Sequence, residues 1–221
     1  MSTKKSHALV LGASGLVGLH TTKMLLQQNT YDVIYAVSRH GIPLEHERLV
    51  QIQADFDSID YFIEKTPITH IFSCLGSTKK KTPNKKDYIQ VDHDYPIKVA
   101  KIGQSNGATK FSFVSALGAN EKSNNFYMQM KGRVEEDIKA LNFEQLYIMR
   151  PALITGNRNE SRPTERFASG FFRIINPLLR GSLKKYRSID GKTIAQALVK
   201  TAGIDYPGVH TYNTEQIKQL A

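Results

Sequence analysis

What most limits the folds open to this chain is an alternation: short, uninterrupted apolar runs are separated by stretches with an apolar residue every three or four positions. Ala8-Leu9-Val10-Leu11, ended by Gly12, is the first such run; others lie at residues 32–37, 49–52, 70–75, 110–114 and 144–149, with a late one at 209–212. A strand that is apolar at successive positions has to be buried on both faces. Between the runs, residues 16–28, 59–64, 88–105, 126–141 and 194–202 read as helices. The clearest is 126–141, with Phe126, Met130, Val134, Ile138 and Leu141 at near-fourfold spacing. Strand–helix alternation with fully apolar strands predicts an α/β fold, a doubly wound parallel sheet covered by helices on both faces. No repeat, low-complexity tract or linker breaks the pattern, so the 221 residues are expected to form a single domain.

Composition narrows the function classes. With 40% hydrophobic and 23% charged residues the chain is too apolar to be disordered. A single cysteine, Cys74, excludes a disulfide framework and a cysteine-built metal site, and it reads as a core residue. The seven histidines have no metal-ligand spacing, so no metal is expected. No apolar run approaches the ~18 residues of a membrane span, and the start of the chain does not read as a signal peptide; a cytoplasmic location is expected. The net charge of +10 permits an anionic partner. Its one dense cluster, Lys79-Lys80-Lys81 with Lys85-Lys86 around Thr82-Pro83-Asn84, reads as a loop, solvated or close to an anionic cofactor. No aromatic–basic recognition motif accompanies the charge, so nucleic acid is not an expected partner.

Gly12-Ala13-Ser14-Gly15-Leu16-Val17-Gly18 follows the first strand and opens the first helix. A glycine pattern alone is weak evidence; between a strand and a helix it reads as a phosphate loop. Gly12 permits the turn, Gly15 lets backbone approach a pyrophosphate, and Gly18 lets the helix pack closely. The helix N-terminus offers its free N–H groups to the phosphates. About 20 residues on, where an NAD enzyme places a carboxylate for the ribose hydroxyl, stands Val37-Ser38-Arg39-His40. Arg39 can pair with a 2′-phosphate, which favours NADPH over NADH. Asp55 either accepts from the adenine amino group or starts the short helix that follows it. Leu75 and Gly76, past the fourth strand, are expected to border the nicotinamide half.

Tyr127 and Lys131 are four apart near the start of a helix and share a face; Ser115 ends the preceding strand at the same edge of the sheet. A carbonyl reductase needs such a set. Tyr127 would give a proton to the substrate oxygen, Lys131 would lower the tyrosine pKa and bond the ribose, and Ser115 would orient the carbonyl.

Gly12-x-x-Gly15-x-x-Gly18, Ser115 and Tyr127-x-x-x-Lys131 together resemble the short-chain dehydrogenase/reductase superfamily, in its atypical NAD(P)H-binding branch. More closely, the chain is similar to the Tat-interacting-protein oxidoreductase family. The similar segments are Cys74-Leu75-Gly76-Ser77-Thr78, Val91-Asp92-His93-Asp94-Tyr95, Gly118-Ala119, Lys122-Ser123-Asn124, Phe126-Tyr127, Lys131-Gly132-x-Val134-Glu135, Arg150-Pro151 and Glu160-Ser161-Arg162-Pro163. This resemblance implies a Rossmann fold, NADPH binding, a Ser115/Tyr127/Lys131 site, and a nicotinamide placed partly by the backbone at Pro151. Many classical relatives carry an Asn in the helix after the fourth strand to complete a proton relay; here the nearby candidate is Asp92, which implies slow turnover. Residues 158–185, mixing basic and aromatic positions, read as a substrate lid, with a dimer face or a membrane-surface helix as the other readings.

The expectation is an NADPH-dependent oxidoreductase acting on a small carbonyl-like molecule, with a homodimer open. A non-catalytic NADPH-binding regulator working through a protein partner is the alternative. Epimerase or dehydratase chemistry ranks lower, because only 221 − 151 = 70 residues follow Pro151.

Overall fold

The apolar runs become strands in the computed structural model, which describes residues 6–55, 57–77, 82, 84–156, 179 and 181–221. They are β1 (His7–Leu11), β2 (Val33–Ser38), β3 (Leu49–Gln53), β4 (His70–Ser73), β5 (Lys110–Val114), β6 (Gln145–Arg150) and β9 (Gly208–Asn213), with a short separate pair β7 (Ile154–Thr155) and β8 (Ile189–Asp190). The main sheet has the order β3-β2-β1-β4-β5-β6-β9, and every pairing is parallel. This is the expected doubly wound, Rossmann-type sheet. Its strand order reverses between β1 and β4, and such a reversal opens a crevice at the carboxyl ends of the strands.

The helices are α1 (Leu16–Leu26), α2 (Ile59–Ile63), α3 (Lys85–Ile89), α4 (Tyr95–Ser105), α5 (Phe126–Ala140), α6 (Gly191–Lys200) and α7 (Thr214–Leu220). Side chains alternate along β1, so the core divides in two. Ala8 and Val10 pack with Leu25 of α1, Ile194 and Leu198 of α6 and Ile217 of α7. Leu9 and Leu11 pack with Ile59 and Ile63 of α2, Val99 of α4 and Val134 and Ile138 of α5. Each large side chain buried this way contributes about 1.5–3 kcal/mol. At the far end of α1 the Arg48 guanidinium donates to the carbonyl of Leu26 (2.6 Å), an acceptor that the helix cannot pair itself, and to those of Gln28 (2.7 Å) and Tyr31 (2.9 Å) in the connection to β2.

Three expectations change. The single helix over 88–105 is two helices joined by a π turn, Gln90–Asp94. Tyr95 N–H donates to the Gln90 carbonyl across five residues, and Pro96 has no N–H to continue a regular ladder. Lys85 and Lys86 are not loop residues: Asn84 caps α3, its side chain accepting from Lys86 N–H at 2.9 Å. The C-terminal helix α7, not anticipated, starts with a capping box between Asn213 and Gln216. Among the described residues no helix is long and apolar enough to cross a membrane. Lys79, Lys80, Lys81 and most of the 158–185 segment lie outside the described residues.

Candidate functional site

The glycine loop sits at the crevice between β1 and β4. Gly12 has φ +82°, and its N–H and that of Ala13 both donate to the Val37 carbonyl at 3.0 Å, tying the loop to the end of β2. A β-carbon on Gly18 would lie 2.2 Å from the Gly12 carbonyl oxygen, so only glycine lets α1 start so close to β1. Gly15 is the N-cap, with no side-chain cap and no acidic residue in the first turn of α1. Ser14 and Gly15 are exposed, Val17 is buried, and Leu16 packs its side chain against Gly156 and Gly191. The head of the helix therefore keeps its positive end for an anion.

Arg39 is exposed just past β2. Asp55, Asp57 and Arg39 all act on the Tyr95 hydroxyl, whose pKa is raised first by burial, then by the two carboxylates, with Arg39 opposing. This gathers the three charged residues around the head of α4. Asp55 Oδ1 accepts from the N–H groups of Asp57 (3.2 Å) and Ser58 (3.0 Å) and from the Ser58 hydroxyl (2.7 Å). Those bonds, Ser58's foremost, lower its pKa and tie its Oδ1 to the turn before α2, whose N-cap is Ser58.

Along one face of α5 lie Tyr127, Lys131 and Glu135, at successive fourfold steps. Tyr127 is 37% exposed, while Lys131 is buried. The Lys131 ammonium lies 3.0 Å from Asp92 Oδ1, 5.5 Å from the centroid of the Phe113 ring, and beside Gly76, whose β-carbon would sit 3.8 Å away. Asp92 is fully buried, and its Oδ2 accepts from Ser77 N–H at 2.7 Å. Burial by itself would lower the Lys131 pKa; the opposing pull of Asp92, then Tyr127 and Glu135, leaves it raised. Tyr88 of α3, buried next to the Phe126 ring, has its hydroxyl pKa raised by burial and then by Asp92 and Tyr127.

Ser115 is arranged differently. Its hydroxyl donates to Glu135 Oε1, and its N–H donates to the Met149 carbonyl at 2.8 Å. Glu135 is fully buried and also accepts from Arg150, with Arg150 Nε at 2.9 Å and 3.1 Å from its two oxygens and Nη2 on Oε2. Pro151 accepts from Leu117 N–H at 2.8 Å, joining the ends of β5 and β6. Leu75 and Gly76 follow β4 beside the glycine loop: the Leu75 side chain would lie 3.1 Å from a β-carbon on Gly12. Burial pushes the Cys74 thiol up to about 12, so it stays protonated at neutral pH. No group of three or more metal-ligating side chains exists among the described residues.

The structure thus brings Tyr127 and Lys131 together with Asp92, Tyr88 and Gly76, and turns Ser115 toward a second cluster. Sequence reasoning missed the carboxylate Glu135 and the partner role of Arg150. Continuing the Tyr127–Lys131 step by four more residues would have found the first.

Strand order, crevice and glycine loop define the class: an NAD(P)-binding Rossmann fold. Residues 8–181 match the NAD dependent epimerase/dehydratase family, and the chain belongs to it. It is 32% identical over 201 residues to Protein FMP52, mitochondrial, of Candida glabrata, covering 90% of this chain and 84% of that protein. To Protein HTATIP2 of Rattus norvegicus it is 32% identical over 167 residues, 74% of this chain and 69% of that one. The second match agrees with the Tat-interacting-protein resemblance. Solved structures share the fold at low identity. A UDP-N-acetylglucosamine 4-epimerase from Methanobrevibacter ruminantium M1 aligns with TM-score 0.70 at 20% identity, over 96% of this chain and 77% of that one. A short chain dehydrogenase from Burkholderia cenocepacia J2315 in complex with NADP gives 0.69 at 14%, over 99% and 93%. One expectation is overturned: the fungal relatives are named as mitochondrial proteins, which conflicts with a cytoplasmic location.

Proposed function

We propose that the chain is an NADPH-dependent oxidoreductase that reduces a carbonyl group on a small molecule. The observation that carries this reading is the buried Lys131 ammonium, set four residues past the half-exposed Tyr127 and beside Gly76 at the rim of the crevice. A dinucleotide fits the residues present: an uncapped helix head without acidic residues receives phosphates. Gly12, Ser14, Gly15, Leu16, Val17 and Gly18 would hold the pyrophosphate, Arg39 the 2′-phosphate, and Leu75, Gly76 and Pro151 would flank the nicotinamide half. Bound there, it would supply the hydride.

This chain's own part is the proton and the geometry. Tyr127 gives its hydroxyl proton to the substrate oxygen as the carbon is reduced, and Lys131 stabilises the tyrosinate left behind. Ser115 donates to the substrate oxygen by giving up its bond to Glu135; Arg150 keeps Glu135 satisfied meanwhile.

Parallel titration with NADPH and NADH at fixed salt tests the cofactor reading. NADPH should bind at least tenfold tighter, about 1.4 kcal/mol; equal binding rejects the role of Arg39. In a panel of carbonyl compounds, Tyr127→Phe should lower NADPH oxidation about 10²- to 10⁴-fold; an unchanged rate removes Tyr127 as proton donor. The epimerase names of the family and of the solved relatives favour a second reading, in which the same groups isomerise a sugar nucleotide. Conversion of a UDP-sugar without net NADPH consumption would select it.

A further inference from the structure

A serine that is to serve a substrate must first be free to leave its own partner. The Ser115 hydroxyl donates to Glu135 Oε1, and both residues are buried, so bulk water does not reach the carboxylate to take the hydroxyl's place. We propose that Arg150 is a positioning residue that acts through Glu135: its forked hold on both carboxylate oxygens makes Ser115 a spare donor, able to turn to a substrate, whereas a Glu135 without Arg150 would keep it. The inference rests on the reading of Ser115 as donor to the substrate oxygen.

The donors can be counted atom by atom. Arg150 Nε lies 2.9 Å from Glu135 Oε1 and 3.1 Å from Oε2, and Nη2 donates to Oε2. When Ser115 departs, each oxygen therefore keeps a donor from Arg150. Losing one of several donors costs only that bond; stripping a buried acceptor of its last donor costs its full desolvation, and more when it is charged. Lys131, one turn earlier on α5, is matched with Asp92 at 3.0 Å, so the hold on Glu135 falls to Arg150.

The elements fix this arrangement. Val114 pairs with Met149 in the register of β5 and β6, so Ser115 and Arg150, the next residue of each strand, emerge side by side. Glu135 of α5 meets both. Ser115 N–H is tied to the Met149 carbonyl at 2.8 Å, so release of the hydroxyl is a turn about side-chain bonds with the backbone left in place. The bond to Glu135 raises the Arg150 pKa, burial opposes it, and the charges of Glu135 and Glu136 add to the rise. The guanidinium thus keeps the charge that strengthens its fork.

Denaturant unfolding of the wild type, Ser115→Ala, Arg150→Met and the double variant tests the coupling. In the wild type, Ser115→Ala should raise the unfolding constant only about fivefold; with Arg150→Met in place it should raise it about tenfold more than that. Equal effects in the two backgrounds overturn the proposal. If Arg150→Met does not fold, Arg150→Lys takes its place, keeping the charge and giving up the fork. Ser115→Ala should then still cost roughly threefold more than in the wild type, and an equal cost overturns the proposal. These readouts need no turnover, so coupling seen in a protein that reduces no carbonyl compound would fail the proposed function and leave the hold on Glu135 standing. Where carbonyl reduction is measured, Arg150→Met should lower kcat as far as Ser115→Ala does, and the double variant no further. A double variant whose kcat falls by the product of the two single losses overturns the proposal.

Discussion

Two buried polar clusters lie at opposite edges of the same sheet, and they are built on different principles. At the amino edge of β4, Tyr31 Oη is 2.7 Å from His70 Nδ1, His70 Nε2 is 2.8 Å from Ser112 Oγ, and Ser112 Oγ is 2.8 Å from Thr201 Oγ1. Thr201 must donate to the Leu198 carbonyl, which fixes every proton behind it: Ser112 donates to Thr201, His70 Nε2–H to Ser112, and Tyr31 to His70 Nδ1. The whole row is neutral and satisfied. At the carboxyl edge the groups are charged, buried Lys131 with buried Asp92 and partly exposed Arg150 with buried Glu135. Buried ion pairs lose in desolvation much of what they gain in attraction. Holding the sheet together would be served by the neutral design. Charges placed where the crevice opens are what the proposed reduction would call for.

The comparison can be broken by removing single members, and the largest effect should come from the charged edge. Lys131→Met leaves the Asp92 carboxylate buried without its cation and should cost about 3–5 kcal/mol in denaturant unfolding; a loss under about 1 kcal/mol, the worth of an exposed pair, would mean the pair is not buried in solution. The neutral edge should show itself in pH dependence. Burial first, and then the nearby Lys110 charge, hold the His70 pKa well below its usual value. The unfolded chain therefore takes up a proton near pH 6.5 that the folded chain refuses, so this contribution is complete above that pH and fades as pH falls. Stability should decline toward acid by up to about 1.4 kcal/mol per pH unit below 6.5, and His70→Gln should flatten the slope; identical slopes would refute the neutral row. The smallest effect is expected for Ser115→Ala, about 1 kcal/mol, because Arg150 still satisfies Glu135; a loss as large as that of Lys131→Met would show that Ser115 is structural.

These edges were not equally legible in the sequence. Ala8 to Leu11 announced a strand because burial on both faces leaves no polar position to confuse the pattern, and Gly12, Gly15 and Gly18 announced the loop because backbone sterics leave little choice of residue. Tyr127 and Lys131 were readable because a helix turns spacing into proximity. Asp92 on Lys131, and Glu135 on Ser115 and Arg150, were not, since those pairings depend on how helices seat against the sheet. The π turn escaped because one extra residue in a helix barely disturbs its apolar period, although Pro96 marked the place. Asn213 and Gln216 did carry a readable cap.

Arg48 gives the first helix a moored stern. The carbonyl of its last residue, Leu26, and two in the chain that follows, Gln28 and Tyr31, are held by one guanidinium on the approach to β3, while its leading end abuts the glycine loop with no room to shift at Gly18. A rod tethered at one end and wedged at the other cannot rock, so an anion arriving at the loop meets N–H groups already aimed and loses little freedom in aligning them. An arginine roughly 16 Å from the loop, by helix length, would thereby take part in holding the proposed dinucleotide's phosphates without touching them.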